Sequence, residues 1–355
     1  MEELERTRDI DGIRYESVSR FFRESVPDGD CELRFSQISG GRSNITYLVR
    51  GGDREWVVRR PPLGHVLPTA HDMTREHRVL SALVDTPVPA PRAIALCDDD
   101  SVNGAPFFVM EYTPGVVLQD ELPDGFAPEP ADRRAISQTL VDTLALLHAV
   151  DYRAVGLDGF GRPDGYLERQ VRRWSKQWMG NQTAPLPEID ELARRLDRAL
   201  PSHSDATIVH GDYRLGNLAL DPADPGRIVA IFDWEMATLG DPLADLGYTL
   251  IYWAEAGDAV LPGAMPAVTA QPGFFTRAEI IEAYARTSSR SVESVDFYQV
   301  LALYKLAVIS EGIYKRIQLG KTLGEGFGLM GRASEGLAQR ALAIADASLD
   351  ARLRG

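Results

Sequence analysis

The periodicity of the chain changes once, near residue 112, and that change bounds the fold. Before it, apolar residues come in short alternating runs divided by glycine- and proline-rich turns; after it, they recur at helical spacing over long stretches. The run from Glu32 to Ile38 ends in Ser39-Gly40-Gly41, Ile45 to Val49 is followed by Gly51-Gly52-Asp53, and Trp56 to Arg59 is stopped by Pro61-Pro62. These read as strands of an antiparallel meander. A helix is predicted over Thr69–Leu83, with Thr69 as N-cap, Asp72 supporting it, and Val79, Leu80 and Leu83 on the apolar face. The prolines of Asp85–Arg92 demand extended or turning chain. Two further strands are predicted at Ala93–Cys97 and Phe107–Glu111.

Beyond Thr113-Pro114-Gly115 the pattern is helical. Ala131–Val150 carries Ile136, Leu140, Leu144 and Leu147 on one face, and Gly165–Met179 and Pro187–Leu200 follow. Two short apolar runs, Thr207–Val209 and Ile228–Phe232, bracket a turn-rich Asp221–Gly226. Helices then cover Phe297–Arg316 and Glu335–Leu353, and the Pro/Ala-rich Leu261–Pro272 reads as an exposed loop. The expectation is an α+β fold of two parts. Residues 1–111 form a small lobe rich in antiparallel strand, and residues 112–355 a larger, mainly α-helical lobe.

Composition removes several classes of function. The 355 residues are 44% hydrophobic, enough for a sizeable core, and the formal net charge of -14 argues against nucleic acid as a partner. The only cysteines, Cys31 and Cys97, give neither a disulfide scaffold nor a CxxC zinc site. No run reaches the roughly 18–20 apolar residues of a membrane span. The charged start of the sequence does not look like a secretory signal. A cytoplasmic enzyme is the leading class.

The strongest chemical signal is His210-Gly211-Asp212-Tyr213-Arg214-Leu215-Gly216-Asn217, after a short apolar strand. Asp212 and Asn217 have the spacing of a kinase-type catalytic loop, where the carboxylate faces the nucleophile and the amide oxygen faces Mg2+. Ile231-Phe232-Asp233-Trp234-Glu235 puts another carboxylate at the end of the next apolar strand, a hairpin away, suited to a hard cation. In Gly240–Gly247, Asp241 and Asp245 sit at a loop-to-helix junction, where carboxylates cap free N–H groups. The bland reading of each is an Asp bracing a turn. The coincidence of His-Gly-Asp with Asp233 favours chemistry for Asp212, Asn217 and Asp233. Bracing suits Asp245, Asp241 either braces the loop or supports the metal site indirectly, and His210 and His148 read as structural. Trp174 and Trp178 either line an acceptor site or belong to an amphipathic helix with a solvated basic face. Glu311, in the apolar Leu301–Ile313 helix, is a candidate acceptor contact, and a partly exposed helix position is the simpler account.

On these residues the chain resembles the aminoglycoside phosphotransferase and choline kinase family, which has a protein-kinase-like fold. His210–Asn217 matches its HGDxxxxN loop, Asp233 its second metal-ligand aspartate, and Gly240–Gly247 its GDPxxDL segment. The subgroup it most resembles includes the kinase-like half of certain acyl-CoA dehydrogenase fusion proteins. The resemblance implies a two-lobed fold binding ATP and Mg2+. In the small lobe, the glycines Gly40 and Gly41 let backbone approach a polyphosphate, with Ser39, Ser43 and Asn44 as donors. Alternation puts Val57 and Arg59 on one face, an adenine-packing residue beside a phosphate-pairing cation. Most relatives carry Lys where this chain has Arg59, whose fork still fits phosphate oxygens. Glu76 is the expected partner that aims Arg59, and Met110, Glu111 and Tyr112 form the hinge meeting the adenine edge.

The activity this implies is γ-phosphoryl transfer from ATP·Mg2+ to a hydroxyl of a small molecule. Asp212 orients the acceptor, and Asn217 and Asp233 hold the metal. No segment resembling a protein kinase's activation loop and APE pattern is present, which favours a small acceptor over a protein. An aminoglycoside would want an acidic pocket. A hydroxyacyl-CoA would want cations such as Arg169, Arg172, Arg173 and Lys176. Amino alcohols and sugars are further candidates. The rival classes are a nucleotide-binding pseudokinase, suggested by Arg59, and a metal-dependent hydrolase using His210, Asp212 and Asp233, which lacks a completing ligand cluster.

Overall fold

Alternating apolar residues in the first hundred positions produce a five-stranded antiparallel sheet of order β1-β2-β3-β5-β4. The computed structural model describes residues 10–38, 44–63, 72–202, 204–258, 267–319 and 330–355. The chain divides into two compact units. One comprises residues 1–115, 155–157 and 229–237; the other comprises 116–154, 158–228 and 238–355.

In the first unit, β1 (Arg34–Gln37), β2 (Ile45–Gly51) and β3 (Arg54–Arg60) make the expected meander. β5 (Phe107–Glu111) pairs with both β3 and β4 (Ala93–Cys97). Alternation along β3 sends Trp56 and Val58 into the unit's core cluster. Val57 and Arg59 therefore share the opposite face. Helix α1 (Tyr15–Ser25) covers the core face with Val18 and Phe22. Phe22 meets Trp56 edge-on at 5.6 Å, and Phe21 meets Phe107 at 5.1 Å. This helix lies outside the sequence expectation. Its apolar positions are separated by Arg, Glu and Ser, which dilute the signal although Tyr15, Val18 and Phe22 keep helical spacing.

Helix α2 spans Met73–Leu83, shorter than expected. Its N-cap is Asp72, whose carboxylate accepts from the Arg75 N–H at 3.1 Å. The expected cap, Thr69, lies outside the described residues, as do Ser39, Gly40, Gly41 and Ser43. Between β4 and β5 a helical turn at Asp100–Asn103 is capped by Asp99 and closed by Gly104 in a left-handed conformation.

The second unit is built mainly from helices α3 (Pro130–His148), α4 (Tyr166–Asn181), α5 (Pro187–Arg198), α6 (Leu243–Tyr252), α7 (Arg277–Ser288), α8 (Val295–Gln318) and α9 (Met330–Ala347). Its short strands correct one expectation. β6 (Thr207–Val209) pairs with β9 (Thr238–Gly240), not with the run at Ile228. That run belongs to β8 (Asp224–Ile231), which pairs with β7 (Leu218–Asp221). Strands of three or four residues are too short for alternation to reveal them or their partners. None of the described helices is long and apolar enough to cross a membrane.

Helices α6 and α8 pack at unusually close range. A Cβ on Gly247 would lie 2.7 Å from the Tyr298 carbonyl carbon, so glycine is required for the approach. Gly247→Ala is expected to cost about 1–3 kcal/mol, the usual penalty of overpacking. A shifted denaturant midpoint with unchanged slope would register it; an unshifted midpoint would show that the helices separate freely.

Candidate active site

The loop after β6 is held by one carboxylate. Asp245, fully buried in the first turn of α6, accepts from the His210 N–H at Oδ2 and from the Gly211 N–H at Oδ1, both at 2.7 Å. His148 Nε2 lies 3.3 Å from the same Oδ2, and its Nδ1 is 2.7 Å from the Tyr284 hydroxyl. Burial pushes the Asp245 carboxyl up, but His148, His210 and the Gly211 N–H outweigh it and hold it below the usual range. Gly211 itself has φ 86°, a left-handed turn that a side chain would strain. The Thr249 hydroxyl, one turn along α6, donates to the Tyr213 carbonyl at 2.9 Å.

This bracing presents Asp212 in a defined pose. Its N–H donates to His210 Nδ1 at 3.2 Å. Asn217 Nδ2 donates to the Asp212 carbonyl at 2.8 Å and to its Oδ2 at 2.7 Å, while Arg214 Nε donates to Oδ1 at 3.2 Å. The Asn217 amide nitrogen is thus spent on Asp212, and its amide oxygen is the end available to a metal. Asp212 keeps 18% of its side chain exposed, half-buried rather than buried. Asp241 caps the start of α6 by accepting from the Leu243 N–H at 2.9 Å.

Within the first unit, Arg59 gathers three carboxylates. Its Nε lies 3.0 Å from Glu76 Oε2, and its Nη2 lies 2.5 Å from Asp233 Oδ1 and 3.7 Å from Glu235 Oε2. Asn44 Nδ2 donates to Glu235 at 2.9 Å, and Asn44 Oδ1 is buried without a hydrogen-bond partner. Burial pushes the Glu76 carboxyl up to about 7; Arg59 opposes the rise, and Asp233 and Glu235 add to it. Asp233 has φ 65°, uncommon for a residue other than glycine. Among the described residues, Arg59 thus meets three carboxylates.

The donor set suits Mg2+, which is held through one or two protein oxygens together with phosphate oxygens. Among the described residues, no group of three or more His, Cys, Asp or Glu side chains could hold a metal ion. The predicted hinge follows the strand register. Met110 pairs with Val57 and is buried, Glu111 pairs with Trp56 and is exposed, and Tyr112 follows half-buried.

Several residues escaped or contradicted sequence reasoning. Glu235 joins Arg59; its proximity to Asp233 in the motif was the available signal. Glu311 is only 5% exposed and accepts from the Thr183 N–H and hydroxyl at 2.8 and 2.6 Å, so it is no exposed helix position. Trp174 and Trp178 are both buried on α4. Lys305 lies beside the His210–Asn217 loop, and its signal was a lone cation in the apolar Leu301–Ile313 run.

Asp245→Asn retains shape but offers one acceptor oxygen where two are used. A buried N–H of the loop is left unpaired, with an expected loss of about 1–3 kcal/mol. Equilibrium unfolding measures this, and wild-type stability in the variant would remove Asp245 as the loop's anchor.

The profile of the phosphotransferase enzyme family, APH, matches residues 34–282. Acyl-CoA dehydrogenase family member 10 of Mus musculus is 36% identical over 311 residues, 87% of this chain and 29% of that protein. Family member 11 of Homo sapiens is 33% identical over 322 residues, 89% of this chain and 40% of that protein. The chain thus spans well under half the length of these relatives. A crystal structure from Ralstonia eutropha, provisionally described as an aminoglycoside phosphotransferase, is similar with a TM-score of 0.81 and 32% identity, covering 94% of this chain and 98% of that one. Choline kinase from Cryptosporidium parvum shares the fold with a TM-score of 0.66 at 13% identity, covering 95% and 97%. With the HGDxxxxN loop braced in place and the profile spanning both β-rich and helical parts, the chain belongs to the APH phosphotransferase enzyme family and has its two-lobed kinase-like α+β fold.

Proposed function

We propose that the protein transfers the γ-phosphoryl group of ATP to a hydroxyl of a small molecule in the presence of Mg2+. The observation that supports this most is the Asp212 carboxylate, held by Asn217 and Arg214 on a loop anchored by Asp245. Asp212 accepts the hydroxyl proton as the acceptor oxygen bonds to the γ-phosphorus and the bond to ADP breaks. Asn217 and Asp233 are the residues that would hold Mg2+. When bound, the ion neutralises charge on the phosphate oxygens. Arg59, fixed by Glu76, supplies positive charge to the same phosphates, and the glycine-containing Ser39–Asn44 segment supplies donors. Val57 packs on the adenine, and Met110, Glu111 and Tyr112 offer backbone groups to its edge. The protein's contribution is positioning and charge, because a loose phosphoryl transition state asks for little covalent help.

A hydroxyacyl-CoA acceptor is a second reading, supported by the acyl-CoA dehydrogenase names of the relatives. The basic cluster on α4 supports it less than its sequence suggested, because the Arg169 guanidinium is spent on the Asp164 and Arg162 carbonyls.

Calorimetry of ATP binding with and without Mg2+ tests the metal assignment. Wild type is expected to bind ATP more tightly with Mg2+. Asp233→Asn, which tolerates the left-handed backbone, should forfeit about tenfold or more of that gain. An equal gain in the variant would place the metal elsewhere. Once an acceptor is found by screening hydroxyacyl-CoAs, aminoglycosides and amino alcohols, Asp212→Asn should lower kcat by roughly 100-fold or more with KM little changed. Turnover within a few-fold of wild type would remove Asp212 as the base.

A further inference from the structure

A cavity of about 50 Å³ lies against the catalytic loop, inside the second unit, and its walls include the Gly211 backbone, Tyr166, Gln170, Trp174, Tyr248 and Lys305. Lys305 is the cation of this wall. Its Nζ sits 4.8 Å from the Tyr248 ring centroid and 5.9 Å from that of Trp174, and donates to the Gly211 carbonyl at 3.3 Å. An ammonium has three N–H donors, and among the described residues the Gly211 carbonyl takes one of them. Aromatic faces stabilise a cation but accept no full hydrogen bond in place of water.

The acid on the same wall is not available to a ligand. Both oxygens of Asp245 are taken by the His210 and Gly211 N–H groups and by His148. The Asp212 carboxylate is engaged by Asn217 and Arg214. Arg173, over the Trp174 ring at 5.4 Å, adds a further positive charge nearby. The electrostatic character next to the base is therefore that of a donor site for an oxygen, not a cradle for an ammonium. Burial pulls the Lys305 pKa down, with Asp212 and Asp245 opposing, as expected of an ammonium poorly compensated by its surroundings.

We propose that Lys305 determines acceptor specificity: its ammonium takes a carboxylate or carbonyl oxygen of the hydroxyl-bearing acceptor, and acceptors presenting an ammonium at that position are rejected. This rests on the phosphotransfer reading given above. It separates the chain from polyamine acceptors, for which a cation in the wall is a repulsive element.

The test uses acceptor probes that differ in one group. Lactate, propane-1,2-diol and 1-amino-2-propanol form one set; mandelate, 1-phenylethane-1,2-diol and 2-amino-1-phenylethanol form a larger, aromatic one. Binding to the intact protein is read by ligand-observed NMR, with ATP binding by wild type measured alongside. In at least one set the carboxylate is expected to bind about tenfold or more tightly than the ammonium, the scale of one charged hydrogen bond. Lys305→Met should collapse that preference to within about twofold, and Lys305→Arg should keep it. Lys305→Gln carries the same expectation as Lys305→Met should the latter not fold. If no carboxylate outcompetes its ammonium counterpart, or if the preference survives in the neutral variant, the proposal is overturned. Should that happen while wild type binds ATP, the specificity assignment alone falls. Failure to bind ATP removes the phosphotransfer reading itself.

Discussion

One buried carboxylate sets the geometry on which the candidate chemistry depends. Asp245 reaches from the first turn of α6 to two successive N–H groups of the loop at His210 and Gly211. A strand end followed by a left-handed glycine would otherwise leave these donors unpaired in the interior, each at a cost of about 1–3 kcal/mol. The same contact fixes where the chain turns, and hence where Asp212 emerges. His148 and Tyr284 extend the support outward from α3 and α7. The loop is thus ordered by a chain of hydrogen bonds running through three helices together with the bonds that His210, Arg214 and Asn217 make to Asp212 within it.

The Arg59 cluster works by a different principle. Its groups are close enough to interact strongly, and Glu76 is buried from solvent. Arg59 attracts the three acids, while Asp233 and Glu235 strain Glu76 by repulsion and push its carboxyl up. An added cation relieves that strain. The cation at its centre is an arginine. Its fork contacts Glu76 through Nε and the other two acids through Nη2, a division of labour a point charge cannot make.

Much of this was legible before any coordinates. The meander, the strands Ala93–Cys97 and Phe107–Glu111, and the helices flanking the HGDxxxxN loop follow from period and turn chemistry. What escaped detection depends on distance in space rather than distance in sequence. α1 was hidden by the polar residues between its buried positions, and β9 by its brevity. Asp72, which the sequence suggested as support for a cap, is itself the residue that makes the capping bond. Glu311 reads as exposed from its charge, but Thr183 supplies the donors that let it be buried. Lys305 was visible only as a lone cation in an apolar run, and nothing in the run says which loop it will face. Around Asp212 and Asn217 the motif specified residue types, His210 and Arg214 among them, and the fold supplied Asp245 as the anchor from outside the loop.

The contact at Gly247 has a mechanical consequence. It brings α6, which carries the loop's anchor, against α8, which carries Lys305, with no room for a side chain between them at that point. The loop bearing Asp212 and the helix bearing Lys305 are therefore tied through one helix–helix contact. On the proposal that Lys305 reads the acceptor, the interval between hydroxyl and polar group becomes a property of this helix pair.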